Sequence, residues 1–481
     1  MANNSGEIVY KIYRALTYGI TPLIRLHLGW RKFRGREHPL RWRERLGRAS
    51  ANRPAGHLIW FHAVSLGEGL AAIPVIKCCL DKRPDVTVLM TTTTASAFEV
   101  IKNKLPSNVI YQFAPLDMPS TMDSFLRYWR PNAVMLMESE LWPNLIMGAA
   151  RNGIALTLLN GRMSKKSFRN WSQPVNLPLI TLMLSKFSLI LPLSTFQGIQ
   201  FQLLQAPPFI IHYSGDLKCA LEDFDISEGD KKSLEDFQAQ LSHRKVWMAS
   251  SIHKGEEEVF IRAHNMLKQK HADIVTIIVP RKPQHGQDIA LKLQEKGICV
   301  ALRSRGDNLT PGTSIYVADT LGFYLLQLKF LGIDLTKLTI RIGQLGSKQY
   351  VGSELRDFYK LTPIAVIGGS FLLGLKGHNI SEAAAAGCAV LTGQHVGHFS
   401  HMVAEMKRVN PLSVLQVSGD KLVEAVSELL GNNEFLEARR VAAKEAYHAL
   451  SSGIIENIWE MLHFHIFRKL VSRVEFNKEK L

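Results

Sequence analysis

The sequence contains little cysteine and no uninterrupted apolar run that is long enough to cross a membrane. Five of its 481 residues are cysteines, and apart from Cys78 and Cys79 they lie far from one another. Such spacing matches neither a secreted disulfide scaffold nor a zinc site, and it favours a reducing compartment. Near the amino terminus the longest uncharged run, from Ala15 to Ile24, covers about half of the roughly 20 residues that a spanning helix needs. A small secreted protein and a membrane-spanning start are therefore both disfavoured.

Acidic residues are scarce in the first 50 residues, where three glutamates accompany eleven lysines and arginines. This surplus of eight positive charges is half of the net charge of +16 for the whole chain. A basic, amphipathic stretch is typical of a helix that lies on a membrane surface, and an arginine-rich, acid-poor start is equally typical of an organelle transit peptide. An ordinary solvated helix is a third reading. Nucleic-acid binding is not expected, because no aromatic interleaving and no reader motif accompany the basic cluster.

Short apolar runs alternate with helical patterns from residue 57 onward and predict two parallel α/β domains. Between the two series of runs lies an acidic, polar stretch, residues 221–244, which we interpret as a linker followed by a helix. Apolar runs separated by helices indicate parallel sheets covered on both faces, and such sheets bind ligands at the carboxyl ends of their strands. The predicted strands are 57–64, 86–91, 132–138, 154–160 and 187–193 in the first series, and 245–250, 273–280, 314–319, 363–370 and 388–393 in the second.

Charged residues follow the predicted strands in the first half of the chain. Because the carboxyl ends of parallel strands lie at one edge of a sheet, these side chains are predicted to converge. Carboxylates and a lysine at such an edge suit a general base with electrostatic stabilisation, although each one alone would more often cap a helix or form an ion pair. They are Glu68 in WFHAVSLGEG, Glu138 and Glu140 in MESELWPN, and Lys218 in SGDLK.

In the second half, a glycine-rich stretch at residues 368–393 follows a predicted strand and leads into the helical sequence SEAAAA. The helix start near Asn379 is a candidate anion site, and Glu382 is a candidate for binding ribose hydroxyls. Arg281 and Lys282 leave another strand, where an arginine suits a phosphate. A tight turn with a capped helix, or a solvated basic turn, would explain the same residues. No HExxH motif or GxSxG elbow occurs, and the histidines lie in separate motifs, so neither a catalytic metal nor a serine triad is expected.

The order and spacing of several motifs resemble those of the 3-deoxy-D-manno-octulosonic acid (Kdo) transferases of lipid A biosynthesis. The resemblance extends from about residue 8 to the carboxyl-terminal helices and includes HAVSLGEG, MESELWPN, NGRMSKKS, GDLK, SSIHKGEEE, PRKP, DTLG and GGSFLLGLKGHNISEAAAAG. It implies a GT-B fold, in which two doubly wound, Rossmann-like domains face an interdomain cleft. The corresponding segments are 1–50 (basic membrane-associating or transit segment), 51–240 (acceptor-binding domain), 241–450 (CMP-sugar-binding domain) and 451–481 (carboxyl-terminal helix and tail).

The resemblance also implies a reaction and a role for individual residues. The reaction is an inverting, metal-independent transfer of Kdo from CMP-Kdo to lipid IV-A, a phosphorylated, acylated glucosamine disaccharide, without a cofactor and with peripheral membrane contact. Glu68 matches the family's catalytic base, and Glu138 and Lys218 match the residues that stabilise the transition state. The residues that match the CMP site are Arg281, Lys282, Leu321, Gly322, Glu354, Asn379, Ile380, Ser381 and Glu382.

The chain departs from the family pattern at residues 323–353, which separate Gly322 from Glu354. Removing this segment restores the continuous sequence DTLGELRDFY. We interpret it as an in-frame insertion, such as retained intron sequence in a variant of a eukaryotic gene. It lies where the backbone is expected to touch the nucleotide, so it either loops out or damages donor binding. In a eukaryote the basic start would fit a mitochondrial location with membrane association; a bacterial inner-membrane surface or another organelle is the alternative.

Two other functions fit the same residues. One is a different GT-B enzyme that acts on a uridine nucleotide-sugar, either a transferase or an epimerase, and that would bind UDP in preference to CMP. The other is a membrane-associated protein that holds an anionic lipid without turnover, which becomes the better reading if the insertion blocks the donor. Glu68→Ala separates these readings: loss of transfer with lipid binding retained supports catalysis, whereas no transfer by the parent chain supports the binding role.

Overall fold

The chain folds into two α/β units. The structure, a computed structural model, describes residues 2–35, 37–220, 228–319 and 351–468. Residues 1–222 together with 453–481 form one unit, and residues 223–452 form the other. Within the described residues, no helix has the length and apolar character that crossing a membrane requires.

A six-stranded parallel sheet forms the centre of the first unit. Its strands are β1 (His57–His62), β2 (Val86–Thr92), β3 (Ile110–Phe113), β4 (Ala133–Met137), β5 (Ala155–Gly161) and β6 (Leu189–Pro192). Its helices are α1 (Ala2–Phe33), α2 (Leu66–Lys82), α3 (Ala95–Ile101), α4 (Pro119–Trp129), α5 (Pro143–Arg151), α6 (Lys165–Trp171), α7 (Leu177–Leu184) and α8 (Thr195–Leu203). The strand order is β3-β2-β1-β4-β5-β6.

A seven-stranded parallel sheet forms the centre of the second unit. Its strands are β7 (Val246–Ile252), β8 (Val275–Pro280), β9 (Val300–Leu302), β10 (Ile315–Val317), β11 (Ile364–Ile367), β12 (Ala389–Thr392) and β13 (Val414–Gln416). Its helices are α9 (Glu228–Leu241), α10 (Glu257–Lys270), α11 (Gln284–Glu295), α12 (Val351–Lys360), α13 (Ser381–Ala385), α14 (Ser400–Val409), α15 (Leu422–Gly431) and α16 (Asn433–Ser451). The strand order is β13-β12-β11-β7-β8-β10-β9.

Each sheet has a point at which the chain changes direction across the strands. In the first sheet this switch point lies between β1 and β4, and in the second it lies between β7 and β11, which are neighbours in each case. Two crossovers leave such a point in opposite directions, so a crevice opens at the carboxyl ends of the two strands, where ligands of open α/β sheets bind. Both sheets therefore place their candidate sites beyond these strand ends.

Helix α17 (Ile454–Leu462) returns to the first unit. Ile454 packs so closely against Gly215 that a Cβ at this glycine would lie 2.9 Å from Ile454 Cγ1. Gly215 also has a φ of +99°, a backbone conformation that residues other than glycine rarely adopt. From Gly453 onward, the described part of the predicted carboxyl-terminal segment therefore belongs to the first unit.

The amino-terminal helix α1 packs on the first unit along one face. Tyr10 and Leu28 are buried in this contact. The Tyr13 hydroxyl donates a hydrogen bond to Asp117 Oδ2 (3.1 Å), and the same carboxylate accepts the backbone N–H of Leu145 in the first turn of α5 (2.8 Å). A half-buried carboxylate thus joins α1 to the helix that follows β4.

Gly6 allows α1 to cross α7 at close range, and it provides a test of this packing. A Cβ at Gly6 would lie 2.5 Å from the carbonyl oxygen of Pro178 and 2.9 Å from Leu182 Cβ, whereas nothing lies within 4 Å of a Cβ at Gly19 in the same helix. We expect Gly6→Ala to lower the free energy of unfolding by about 1–3 kcal/mol. Gly19→Ala, the matched control, should raise it by up to about 1 kcal/mol through helix propensity. Urea denaturation measures both, and equal effects would contradict the close crossing.

Candidate active site

The switch point of the first sheet brings the predicted charged residues together. Glu68 lies in the first turn of α2, directly after β1, and Glu138 directly follows β4. Lys218 comes from the segment after α8 and contacts Glu138. The charges of Glu68 and Glu138 interact. Residues that are distant in the sequence therefore meet beyond the ends of two neighbouring parallel strands.

Glu68 is buried and closes the amino-terminal turn of α2. Its Oε2 accepts the backbone N–H groups of Val64 (2.7 Å) and Ser65 (3.3 Å), while Ser65 Oγ accepts the N–H of Glu68 (3.4 Å). Burial, followed by the charge of Glu138, raises the pKa of Glu68, and the backbone hydrogen bonds oppose this shift. None of the described ion pairs involves this carboxylate. Glu68 is a helix cap and, because its pKa is raised, also a stronger base near neutral pH than an ordinary glutamate.

Glu138 lies between two cations. Lys218 Nζ is 2.6 Å from its Oε1, and Arg162 Nε is 2.5 Å from its Oε2. Burial alone would raise the pKa of Glu138, but Lys218 and Arg162 more than offset this and hold the pKa below its usual range. The backbone of Glu138 has a φ of +52°, which is uncommon for a residue with a side chain. Strain of this kind is found at functional sites more often than elsewhere.

Asn160 and Asp216 support Lys218, although the sequence analysis assigns no role to either. Asn160, in β5, also has a positive φ, +54°. Its Nδ2 donates to Asp216 Oδ1 (3.1 Å), and its Oδ1 accepts the N–H of Leu217 (3.1 Å). Asp216 Oδ1 in turn accepts the backbone N–H of Lys218 (2.9 Å). The sequence signal for the positive φ at Asn160 is the Asn-Gly pair in NGRMSKKS, because asparagine tolerates left-handed backbone. The same motif contains Arg162.

Glu140 completes a cluster of three carboxyl groups. Burial, followed by the charge of Glu68, raises the pKa of Glu140 to about 8. Near neutral pH, Glu138 is therefore ionised while Glu140 is largely protonated. Carboxyl groups whose surroundings separate their pKa values suit different tasks, one as a proton acceptor and another as a hydrogen-bond donor.

At the switch point of the second sheet, the side-chain carboxylate of Glu256 lies where an anionic ligand was expected. Glu256 is fully buried. Its Oε1 accepts the N–H groups of Ser370 (2.9 Å) and Phe371 (3.0 Å), and its Oε2 accepts those of Gly369 (2.7 Å) and His253 (2.9 Å). Consecutive N–H groups of this kind otherwise form an anion site. The glycine-rich loop after β11 therefore directs these donors to Glu256 and not to a ligand, which the sequence analysis did not anticipate.

Several residues of the predicted CMP site lie around this loop. Arg281 directly follows β8, and its charge interacts with that of Glu382 in α13. Asn379 Nδ2 donates to Glu382 Oε1 (3.4 Å), and Asn379 Oδ1 accepts the N–H of Ser381 (3.1 Å). The N–H of Ser381, at the helix start predicted to bind an anion, is thus already hydrogen-bonded to Asn379. An arginine and a carboxylate nevertheless face each other at this edge of the sheet.

The structure describes only some of the remaining residues of the predicted CMP site. Lys282 is exposed beside Arg281, and Ile380 is buried. Leu321 and Gly322 lie outside the described residues. Glu354 belongs to α12, but its side chain is outside the described part of the chain.

The first switch point carries the groups that a transfer to a hydroxyl requires. It combines a buried carboxylate with a raised pKa and a second carboxylate paired with two cations, which suits proton abstraction together with electrostatic stabilisation of an anionic group. In the part of the chain that the structure describes, no three His, Cys, Asp or Glu side chains are grouped so that they could hold a metal ion.

Comparisons with known proteins agree with this chemistry. Residues 40–221 match the family described as 3-deoxy-D-manno-octulosonic-acid transferase (kdotransferase). The chain is 58% identical over 465 residues to the Arabidopsis thaliana protein named "Probable 3-deoxy-D-manno-octulosonic acid transferase, mitochondrial", with 96% of this chain and 97% of the relative covered. It is 26% identical over 463 residues to the 3-deoxy-D-manno-octulosonic acid transferase of Haemophilus influenzae, with 95% and 99% covered.

A solved structure of similar architecture is the UDP-GlcNAc 2-epimerase from Neisseria meningitidis. It aligns with a TM-score of 0.55 at 13% identity and covers 85% of this chain and 99% of the epimerase. At this identity the likeness concerns the fold alone. Two parallel-sheet α/β units and this neighbour confirm the predicted GT-B fold.

Proposed function

Because the chain belongs to the Kdo transferase family, and is therefore a glycosyltransferase, we propose that it moves Kdo from CMP-Kdo to lipid IV-A. This acceptor is a phosphorylated, acylated glucosamine disaccharide. The proposed transfer inverts the anomeric centre and uses neither a metal ion nor a cofactor. A basic chain suits both substrates, since the donor carries a phosphate and a carboxylate and the acceptor carries phosphates.

The observation that carries the proposal is the state of Glu68. In the proposed step, the acceptor hydroxyl oxygen attacks the anomeric carbon of Kdo, and its proton passes to the Glu68 carboxylate. The bond from that carbon to the phosphate oxygen breaks, and CMP leaves with the bonding electron pair. A base in this role must be ionised and poorly solvated. Glu68 is buried, its pKa is raised, and its described contacts to Val64 and Ser65 hold one carboxylate oxygen in place.

Glu138 and Lys218 have the supporting role in this proposal. Negative charge develops on the phosphate as CMP departs, and a cation near the reacting centre lowers the energy of that state. Lys218 is held at the first switch point by Glu138 and by the Asn160–Asp216 hydrogen bonds. Glu138 itself is neutralised by Lys218 and Arg162, so the cluster does not add a second free negative charge beside the base.

The test of the function is CMP release with CMP-Kdo and lipid IV-A as substrates. We expect release that depends on both substrates and is unaffected by UDP at equal concentration. UDP-sugar turnover in place of CMP release would point to a different GT-B enzyme. Lipid binding without release of CMP would point to the non-catalytic reading.

The same assay decides the effect of the insertion at residues 323–353. The segments that flank it are anchored in the second unit. Asp319 accepts hydrogen bonds from Ser304 N (2.9 Å) and Oγ (2.7 Å), and Phe358 and Tyr359 in α12 are buried. Residues 323–350 of the insertion lie outside the described part of the chain, and residues 351–353 belong to α12. The competing outcomes are an active chain that tolerates the insertion and an impaired variant. Equal rates for this chain and a version lacking residues 323–353 would discard the idea of damage.

The outer face of α1 supports peripheral attachment to a membrane, which is also part of the proposal. Eight apolar side chains at spacings of three and four residues form one stripe opposite the buried face. Their exposure ranges from 44% at Trp30 to 90% at Phe33, and the exposed cations Lys11 and Arg25 border the stripe. An apolar stripe beside basic residues fits the interface of a bilayer with anionic headgroups. The stripe consists of Ile8, Ile12, Leu16, Ile20, Leu23, Leu26, Trp30 and Phe33.

The double variant Leu23→Glu/Leu26→Glu tests this surface. Both leucines are exposed, at 66% and 71%, so the fold should tolerate the change. Binding to vesicles that contain anionic lipid should fall about tenfold or more, because each leucine loses its apolar transfer energy and each glutamate is repelled. Flotation of vesicles measures this binding. Leu373→Glu, at a leucine of the second unit that is 89% exposed, is the control; equal losses in both variants would contradict docking through α1.

A mitochondrial location is proposed on the basis of the name of the Arabidopsis relative and the basic start of the chain. Removal of α1 during import would separate Tyr13 from Asp117 and expose the surface beneath Tyr10 and Leu28. The packing therefore supports a helix that is retained after import. Uptake of a fusion of residues 1–50 by isolated mitochondria tests the location, and the size of the imported product tests retention; a fusion that stays outside would favour another compartment.

A further inference from the structure

Two histidines form a direct hydrogen bond at the second switch point. The Nε2 atoms of His253 and His378 lie 2.7 Å apart, and their rings are stacked with an interplanar angle of 22°. His253 follows β7, and His378 lies in the loop after β11. A single hydrogen atom lies between the two nitrogens, so one ring donates and the other accepts. In the neutral pair the two rings therefore have opposite tautomers.

The backbone is shaped to hold this pair. Gly369 has a φ of +70°, and a Cβ at this position would lie 2.6 Å from His378 Cδ2 and 3.3 Å from His253 Cδ2. Gly377, directly before His378, has a φ of +72°, and its N–H donates to the carbonyl of Gly369 (2.7 Å). Glu256 fixes the other partner by accepting the N–H of His253. Two glycines with positive φ and one buried carboxylate thus place the two imidazoles against each other.

The surroundings of the pair are mostly positive. Burial lowers the pKa of His378 to about 3, with Arg281 and His253 contributing, and burial also lowers the pKa of His253. Without an anion the pair is therefore neutral at physiological pH. The groups that face His253 are Glu256 in its own loop, Arg281 and Lys282 after β8, and His285 in α11. The groups that face His378 are Arg281 and His253. Arg281 also faces Glu382 of α13.

We propose that His253 and His378 bind the phosphate of the donor nucleotide as a proton-sharing pair beside Arg281. The phosphate adds negative charge beside a pair whose surroundings are mostly positive. A proton from solvent then adds to the pair, which holds the phosphate as a cation. Binding and protonation are reciprocal: a phosphate that raises the proton affinity of the pair binds more tightly when the pH falls. The inference rests on the proposed function, because it assumes that a CMP-sugar is the ligand at this edge of the sheet.

The experiment uses cytidine 5′-methylphosphate, a phosphodiester that lacks the second ionisation found near pH 6 in phosphate monoesters. Its charge stays constant while the pH is varied, so a change in affinity reports on the protein. An opposite charge at this range raises a pKa by about 1–3 units, so calorimetry should show affinity about tenfold higher near pH 5.5 than near pH 8. His253→Gln and His378→Gln should each remove this pH dependence. His271→Gln, at a histidine of the same unit that contacts Lys245, is the control and should retain it.

The possible outcomes separate this inference from the proposed function. Binding with a pH dependence that survives in both glutamine variants would overturn the histidine pair and leave the donor site intact. Absence of binding at every pH would overturn the donor site itself, and the phosphate-binding role of the pair with it. Nitrogen-15 NMR of the chain without nucleotide tests the pair independently: opposite tautomers for His253 and His378 are expected, and identical tautomers would refute the shared hydrogen.

Discussion

Glu68→Gln is expected to lower the kcat for Kdo transfer by about 10³-fold, the range that a positioned general base contributes. Glutamine has the same shape and one carbonyl oxygen, so it still accepts the N–H groups of Val64 and Ser65 and preserves the cap of α2. It cannot take a proton from the acceptor hydroxyl. Initial rates of CMP release at saturating substrates measure the loss, and an unchanged unfolding midpoint in urea shows that the fold is intact.

Glu140→Gln is the matched control for this prediction. The carboxyl group of Glu140 has a pKa of about 8, so it is largely neutral at pH 7 and resembles the amide that replaces it. The transfer rate of Glu140→Gln should stay within about threefold of the parent rate at that pH. In the parent chain, activity should rise with pH as Glu68, whose pKa is raised, loses its proton. A Glu140→Gln rate as low as that of Glu68→Gln would reassign the base to Glu140.

Lys218→Met is expected to lower the free energy of unfolding by about 3 kcal/mol, because it leaves a buried carboxylate with one cation fewer. The side chains of Lys218 and Glu138 are 18% and 2% exposed, so water replaces little of the lost interaction. The value lies at the lower end of the usual range because Arg162 still pairs with Glu138. In the proposed reaction Lys218 stabilises the departing phosphate, so transfer should also fall sharply. Urea denaturation and CMP release measure the two effects.

A surface pair and the pH dependence provide the controls for Lys218. Lys102→Met breaks an exposed pair with Glu99 and should cost at most about 1 kcal/mol. Glu138 has a folded-state pKa below its unfolded value, so its contribution to stability is present above the unfolded pKa and is lost as the pH falls through the folded one. The difference between the parent and Lys218→Met should therefore shrink on acidification. A difference that is independent of pH would show that Lys218 stabilises the fold without acting through Glu138.

The central strands could be predicted from the sequence, whereas three edge strands could not. β1, β4, β7 and β11 are covered on both faces and therefore read as continuous apolar runs. Strands at a sheet edge have one neighbour and less cover, so their apolar signal is short or broken. The strands that the sequence analysis missed are β3, β9 and β13, each three or four residues long and each at the end of a sheet.

The residues of the site were easier to predict than their partners. Glu68, Glu138 and Lys218 are visible as charges at strand ends, and the structure brings them together. The hydrogen-bond partners depend on backbone with positive φ at Glu138, after β4, and at Asn160, in β5. The Asn-Gly pair signals the turn at Asn160, whereas the residue type gives no such signal at Glu138. The pairing of His253 with His378 spans 125 positions, so no local pattern could indicate it.

The carboxylate of Glu256 has a consequence for anyone who designs ligands against this enzyme. Because it satisfies three successive amides of the loop after β11 from inside the protein, that loop is already ordered before a substrate arrives. An inhibitor that approaches this edge meets a rigid template and gives up little entropy to organise it. Shape complementarity to the loop is therefore a better starting point than groups that compete for its amides.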